Sequence, residues 1–224
     1  MASRRLTPQD WAMAALHALA RGGLPAISVE ALARELGATR GSFYWHFANR
    51  DAVVTAALQL WQREATESVI AGLGAEPDPG LRLRRLIEFA VTVDPIAGLE
   101  PALTAHARHP AVAPVLRDVT EARIGFLTGC YRELGSSPAE ARRRAVVAYA
   151  AYLGWLDLRA LGGDDLPEVA TQGQDAHAAL DELVETLLPP GTNHPTRPGE
   201  GDRSDGSGVA DRDRKARTDR TGRS

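Results

Sequence analysis

The chain has 224 residues, enough for one large domain or two small ones, and its 44% hydrophobic content is that of a globular protein, not a disordered or fibrous one. Its 26 basic and 29 acidic side chains leave a formal charge of −3, so the overall balance does not single out a nucleic-acid partner. A lone cysteine, Cys130, excludes an internal disulfide and a cysteine-rich zinc site, and the longest apolar stretch, residues 145–156, falls short of the ~20 residues a membrane span needs.

The charge is unevenly placed. Residues 1–50 carry six arginines against three acids, whereas residues 72–188 carry 11 arginines against 17 acids. A basic head on an acidic body fits an anion-binding module joined to a larger core. No apolar leader follows Met1, so a cytoplasmic protein without a membrane partner is expected.

In chain order, nearly everything before residue 189 reads as helix. Thr7, Pro8 and Asp10 form a start signal: a cap, a proline at the first position and an acid near the positive end of the dipole. Trp11, Ala14, Ala15, Ala18 and Leu19 then keep helical spacing until Gly22 and Gly23. Ser28 caps a second, short helix, and Gly37 sits at the turn after it. Thr39 opens a third helix through Phe47, and Asn49 caps a fourth that runs to residue 71. After a Gly/Pro-rich loop at 72–80, further helices are expected from Leu81 to Val93, Pro101 to Arg108 and Val112 to Leu134. Another begins at Ser137-Pro138-Ala139-Glu140, a capping-box pattern, and continues to Leu161. The last covers Asp175 to Leu188. The expected fold is all-α, about nine helices, with no strand. Residues 189–224 hold one large aliphatic side chain, Val209, and read as a disordered tail.

The informative stretch is Ser28–Asp51. Two short helices around a glycine turn have helix-turn-helix spacing, in which the second helix enters the major groove. Phe43 and Phe47 lie four apart and can pack on the first and fourth helices, which turns several of their neighbours outward. Arg40 can donate to guanine or phosphate, Thr39 and Ser42 are short donors, and Gly41 permits close backbone approach. Tyr44 and His46 have the reach for phosphate oxygens, Trp45 shares the outer circumference, and Asn49-Arg50 joins a helix N-terminus to a cation. Arg4 and Arg5 can serve as an arm on the duplex, and Ser28 is counted with the contact residues.

Residues 7–61 resemble the DNA-binding domain of the tetracycline-repressor (TetR) family. The resemblance runs through the Gly22-Gly23 stop, Ser28-Val29-Glu30-Ala31-Leu32-Ala33, Leu36-Gly37, the Thr39–Phe47 run with its Tyr-x-His-Phe element, and Asn49-Arg50-Asp51. It implies that Tyr44, His46 and Arg50 grip phosphates while Thr39, Arg40, Ser42 and Trp45 face the groove. The family usually has lysine where Arg50 stands. It also implies a DNA-binding head at 1–71 and a ligand-binding, dimerising body at 72–188, released from DNA by an unidentified small-molecule effector.

Within that body, residues 145–156 are apolar on every side. One subunit can cover only one face of such a helix, so a homodimer is expected, with Leu180, Leu183, Val184 and Leu187 of the last helix sharing the interface. Candidate pocket residues are Phe89, Thr92, His106, Arg123, Phe126, Cys130, Tyr149, Tyr152 and Trp155. His106 and His109 lack an accompanying carboxylate pair, so no metal is expected. No cofactor is expected, and no nucleophile–base set or phosphate-binding glycine loop suggests an enzyme. Two other readings remain open, an all-α ligand-binding protein and an architectural DNA binder without an effector. A dry, fully packed body would favour the architectural binder; a closed apolar cavity of several hundred Å³ would favour the sensor.

Overall fold

The computed structural model describes residues 5–93, 95–161 and 174–189; the readings made for Arg4 and for the tail beyond residue 189 lie outside them. All regular structure among these residues is helical. The helices are α1 (Pro8–Gly22), α2 (Val29–Glu35), α3 (Arg40–Tyr44), α4 (Arg50–Gln62), α5 (Ser68–Leu73), α6 (Pro79–Thr92), α7 (Leu99–Ala105), α8 (Ala113–Glu133), α9 (Pro138–Leu161) and α10 (Gln174–Leu187). A wide π-type turn, Arg63–Glu67, joins α4 to α5 without a break. Residues 50–73 are therefore one rod, and nine separate rods result among the described residues.

Side-chain caps explain most of the starts. Thr7 Oγ1 accepts from the Asp10 N–H at 3.3 Å, and Asp10 Oδ2 accepts from the Thr7 N–H at 2.7 Å. The pair is a full capping box, a stronger role for Asp10 than its dipole position alone implies. Ser28, Thr39 and Asn49 accept from Ala31, Ser42 and Ala52 at 3.1, 3.1 and 2.9 Å. Each cap is worth about 1 kcal/mol. The expected box at Ser137 is only half formed. Ser137 Oγ accepts from the Glu140 N–H at 3.4 Å, but the Glu140 carboxylate turns to Arg144 Nε at 2.9 Å. A charge-assisted bond one helical turn on outcompetes the neutral backbone donor.

Some boundaries differ from the expected ones. Helix α3 stops at Tyr44, because the His46 and Phe47 N–H groups both fold back onto the Phe43 carbonyl, at 2.9 and 3.0 Å. Helix α7 starts earlier than Pro101, behind Gly98 at φ 77°, and ends at Ala105. The wide turn between α4 and α5 is a departure from the uninterrupted helix expected there.

Two apolar clusters hold the helices together. The first joins Trp11, Leu16 and Leu19 of α1 with Leu32, Phe43, Val53 and Leu58, and extends to Leu99, Leu103, Val112 and Val119. The second joins Leu83 and Ile87 of α6 with Leu127 and Tyr131 of α8, Ala141, Ala145 and Ala148 of α9, and Val184 and Leu187 of α10. Helix α8 contributes to both and is the strut between them. Helix α7 is pressed against the end of α1: Gly23 has φ 67°, and a Cβ there would come within 2.5 Å of His106 Cε1. Both the backbone angle and the imidazole therefore require glycine at this position.

Tyr131 is fully buried, and its hydroxyl donates to the Leu187 carbonyl at 2.8 Å, tying α8 to the end of α10. Burial pushes this phenol up to about 12. A group whose pKa is higher folded than unfolded stabilises the fold below its ordinary value, near 10, and loses that contribution as pH rises through the folded value. Urea unfolding across the alkaline range is expected to show stability falling between about pH 10 and 12, with a shallower fall in Tyr131→Phe.

Candidate functional site

The first site is the exposed side of α3. Phe43 is 0% exposed and sits edge-on to Trp11, ring centroids 5.3 Å apart, and Phe47 at 8% packs 5.5 Å from Phe43. These two rings fix how α3 is rotated. Tyr44 and Trp45 are consequently 51% and 84% exposed. His46 and Ser42 are half-buried, and Thr39, Arg40 and Gly41 are exposed. A Cβ at Gly41 would meet nothing closer than Thr39 Oγ1 at 3.7 Å, so packing within the chain does not call for glycine there. Arg40 Nε lies 3.2 Å from Glu30 Oε1 on α2. Both groups are largely solvated, so the pair adds little stability but biases the direction of the guanidinium.

Arg50 is placed differently from its neighbours. Its Nε donates to the Ile27 carbonyl at 2.6 Å and its Nη2 to the Leu24 carbonyl at 2.5 Å. Its Nη1 stands 3.5 Å from Asp51 Oδ1. Arg50 thus staples the turn between α1 and α2 to the start of α4. Backbone carbonyls have no sequence signature, so spacing could not have revealed this role. Ser28, Thr39 and Asn49 use their side chains as helix caps, and Arg5 is exposed.

The second site is a cavity of about 350 Å³. Met13, Leu16 and His17 of α1, Trp61 of α4, Glu64 and Thr66 of the wide turn, and Leu86 and Phe89 of α6 form part of its wall. Glu100 of α7, Arg123 and Phe126 of α8, and Tyr149 and Tyr152 of α9 complete this set of side chains. Arg123 is its organising group. Nη1 and Nη2 donate to the two Glu100 oxygens at 3.0 and 2.8 Å, Nε donates to Thr66 Oγ1 at 3.0 Å, and Nη2 also donates to the Ala65 carbonyl at 3.1 Å. The guanidinium carbon lies 5.6 Å from the Trp61 ring centre and 5.5 Å from that of Tyr152. Burial works against the Arg123 charge, but Glu100 outweighs it and holds the guanidinium above its ordinary value. Burial, with Glu100 nearby, pushes the Tyr152 phenol well up.

Of the expected pocket residues, Phe89, Arg123, Phe126, Tyr149 and Tyr152 line this cavity, and Thr92, His106, Cys130 and Trp155 do not. Thr92 donates to the Glu88 carbonyl at 2.6 Å on an exposed turn. His106 packs on Gly23 with Nδ1 2.8 Å from the Ala102 carbonyl. Cys130 is buried in the second cluster, where burial raises its thiol pKa. Trp155 is half-buried away from the cavity wall. Trp61, Glu64, Thr66 and Glu100 were missed because each is distant in sequence from the other residues it meets across the cavity. Among the described residues, no group of three His, Cys, Asp or Glu side chains is placed to hold a metal ion. No described helix is long and apolar enough to cross a membrane.

The molecule is a helix-turn-helix head on a hollow helical body. Residues 13–62 match the model for bacterial regulatory proteins of the tetR family. The fold agrees. A transcriptional regulator from Rhodococcus sp. Rha1 superposes with a TM-score of 0.64 at 21% identity, covering 81% of this chain and 96% of that one. A TetR-family regulator from Agrobacterium tumefaciens superposes with a TM-score of 0.64 at 20% identity, covering 82% and 100%. AibR, solved with isovaleryl coenzyme A and operator DNA, superposes with a TM-score of 0.61 at 18% identity, covering 82% and 98%. No curated protein matches the chain by sequence.

Glu100→Gln is expected to leave the Arg123 charge buried without a counter-ion and to lower stability by about 3–5 kcal/mol. The double variant Glu100→Leu/Arg123→Met should recover most of that loss. A cycle of urea-unfolding free energies checks both outcomes.

Proposed function

We propose that this protein is a ligand-responsive transcription regulator that binds a palindromic operator as a homodimer and is released by a small-molecule effector. The head is residues 1–71, the body residues 72–188, and the role is repression without enzymatic chemistry, in the cytoplasm. The observation that carries the reading is the rotation of α3: Phe43 and Phe47 are locked inward while Tyr44 and Trp45 stand in solvent. Tyr44 touches Phe43 edge-on yet stays exposed, and Trp45, just beyond the helix, is more exposed still; two such aromatic side chains suit a partner surface. Arg40, Thr39, Ser42 and Trp45 are the groove-facing set, Tyr44 and His46 the phosphate set, and bare Gly41 lets a duplex approach. Arg50 supports this surface from behind, and its exposed Nη1 side can still add attraction for phosphate. The operator DNA held by AibR, which has the same fold, is consistent with this use.

Dimerisation is supported by the far side of α9. Val146, Val147, Ala150, Gly154 and Leu158 are exposed at roughly four-residue spacing, an apolar strip along one face. A second copy would cover it and would set two α3 helices about 34–36 Å apart for adjacent half-sites. Effector response is supported by the cavity, which falls within the size range of small-molecule sites. Arg123 bonds to the wide turn that continues α4, and α4 begins just after α3. A ligand that displaces Trp61 or Arg123 therefore acts on the rod that carries the reading head and shifts the population of head positions. The cavity also weighs against a dry, effector-free architectural binder.

Selection of genomic fragments on the purified chain should recover a palindromic site. On that site Tyr44→Ala is expected to weaken binding at all sequences, and Arg40→Ala to cost about 1–3 kcal/mol mainly at one base position. Unaltered affinity in both variants would overturn the assignment. Val147→Glu should yield a monomer by sedimentation and weaken operator binding, whereas removal of residues 190–224 should leave the dimer intact.

A further inference from the structure

The charges on the cavity wall are not balanced. Arg123 is committed: it bonds to both Glu100 oxygens, to Thr66 and to the Ala65 carbonyl, and its faces lie near Trp61 and Tyr152. The Arg123 and Glu100 side chains are only 13% and 15% exposed. Among the described residues of the wall, Arg123 is the one guanidinium and it is already paired. To reach Arg123 an anionic ligand must evict Glu100 and leave that carboxylate unpaired against an apolar wall. Glu64 differs in every respect. It is exposed, it lines the cavity, and among the described residues its carboxylate has no ion-pair or hydrogen-bond partner. Among the described residues of the wall, two carboxylates, Glu64 and Glu100, stand against one guanidinium, Arg123.

The rest of the lining adds to this field. Phe89, Phe126 and Tyr149 add aromatic rings, a class of group that attracts cations, whereas the Trp61 and Tyr152 rings already lie beside Arg123, and the remaining surface is chiefly aliphatic. Resting on the sensor reading above, we propose that the cavity takes a lipophilic organic cation, an amine or quaternary ammonium, with its charge at Glu64 and its apolar body in the chamber. Glu64 belongs to the wide turn Arg63–Glu67, so the ligand's charge engages the segment that joins α4 to α5.

The test uses the full chain and three matched probes: a phenylalkyl trimethylammonium, its neutral tert-butyl isostere, and the carboxylate of equal chain length. Affinities are read by quenching of tryptophan fluorescence and by calorimetry. The cation is expected to bind roughly tenfold more tightly than the isostere, with the carboxylate weakest. Glu64→Gln, a solvated position whose exchange leaves the packing intact, should bring the cation-to-isostere ratio to about one, as high salt should do in part. An isostere that matches the cation, a carboxylate that beats it, a preference that survives Glu64→Gln, or no binding of any probe each overturns the proposal. The same probes are added to the operator complex. Tight cation binding without loss of DNA affinity would sink the sensor reading and keep the ligand class; release by the neutral or anionic probe alone would do the reverse.

Discussion

The guanidinium of Arg123 is the point through which the helices around the cavity are connected. It comes from α8, takes its counter-charge from Glu100 on α7, bonds to two groups of the turn between α4 and α5, and lies near rings from α4 and α9. Few side chains could do this. A planar cation with five fixed donors can satisfy several elements at once while its faces meet aromatic surface, which a lysine ammonium cannot match. The arrangement lets a charge sit beside an apolar hollow without collapsing it.

At the other end, one packing decision sets the character of the surface. Helix α3 is too short to be amphipathic over several turns, so two phenylalanines and Trp11 set its orientation. Thr39, Arg40, Gly41, Tyr44 and Trp45 are left exposed, and Ser42 and His46 half-buried. Thr39 and Asn49 meanwhile cap their helices, so polar residues at the edges of the motif are structural as well as exposed.

How far the sequence could be read follows from the range of each interaction. Helices with local start signals were legible, because a cap and its donors lie within four residues: Thr7, Ser28, Thr39 and Asn49 all accept from the first turn they precede. The inward turn of Phe43 and Phe47 was legible for the same reason. The wide turn at Arg63–Glu67 was not, and the Arg123 side chain that bonds to it lies 57 residues from Thr66. Most of the cavity wall was hidden likewise: aromatic type and helix position suggested Tyr149 and Tyr152, but nothing local marks Glu100 or Glu64. His106 shows the converse error, in which a chemically suggestive residue near the right helix is used to seal a glycine corner.

The inward use of Arg50 has one more consequence. By holding the Leu24 and Ile27 carbonyls, it makes the corner before α2 rigid in the free protein. Whatever α3 docks against meets a surface whose loops are already set, so little ordering entropy is left to subtract from the contact energy. Association is then governed by diffusion and charge, not by a slow internal rearrangement of the head.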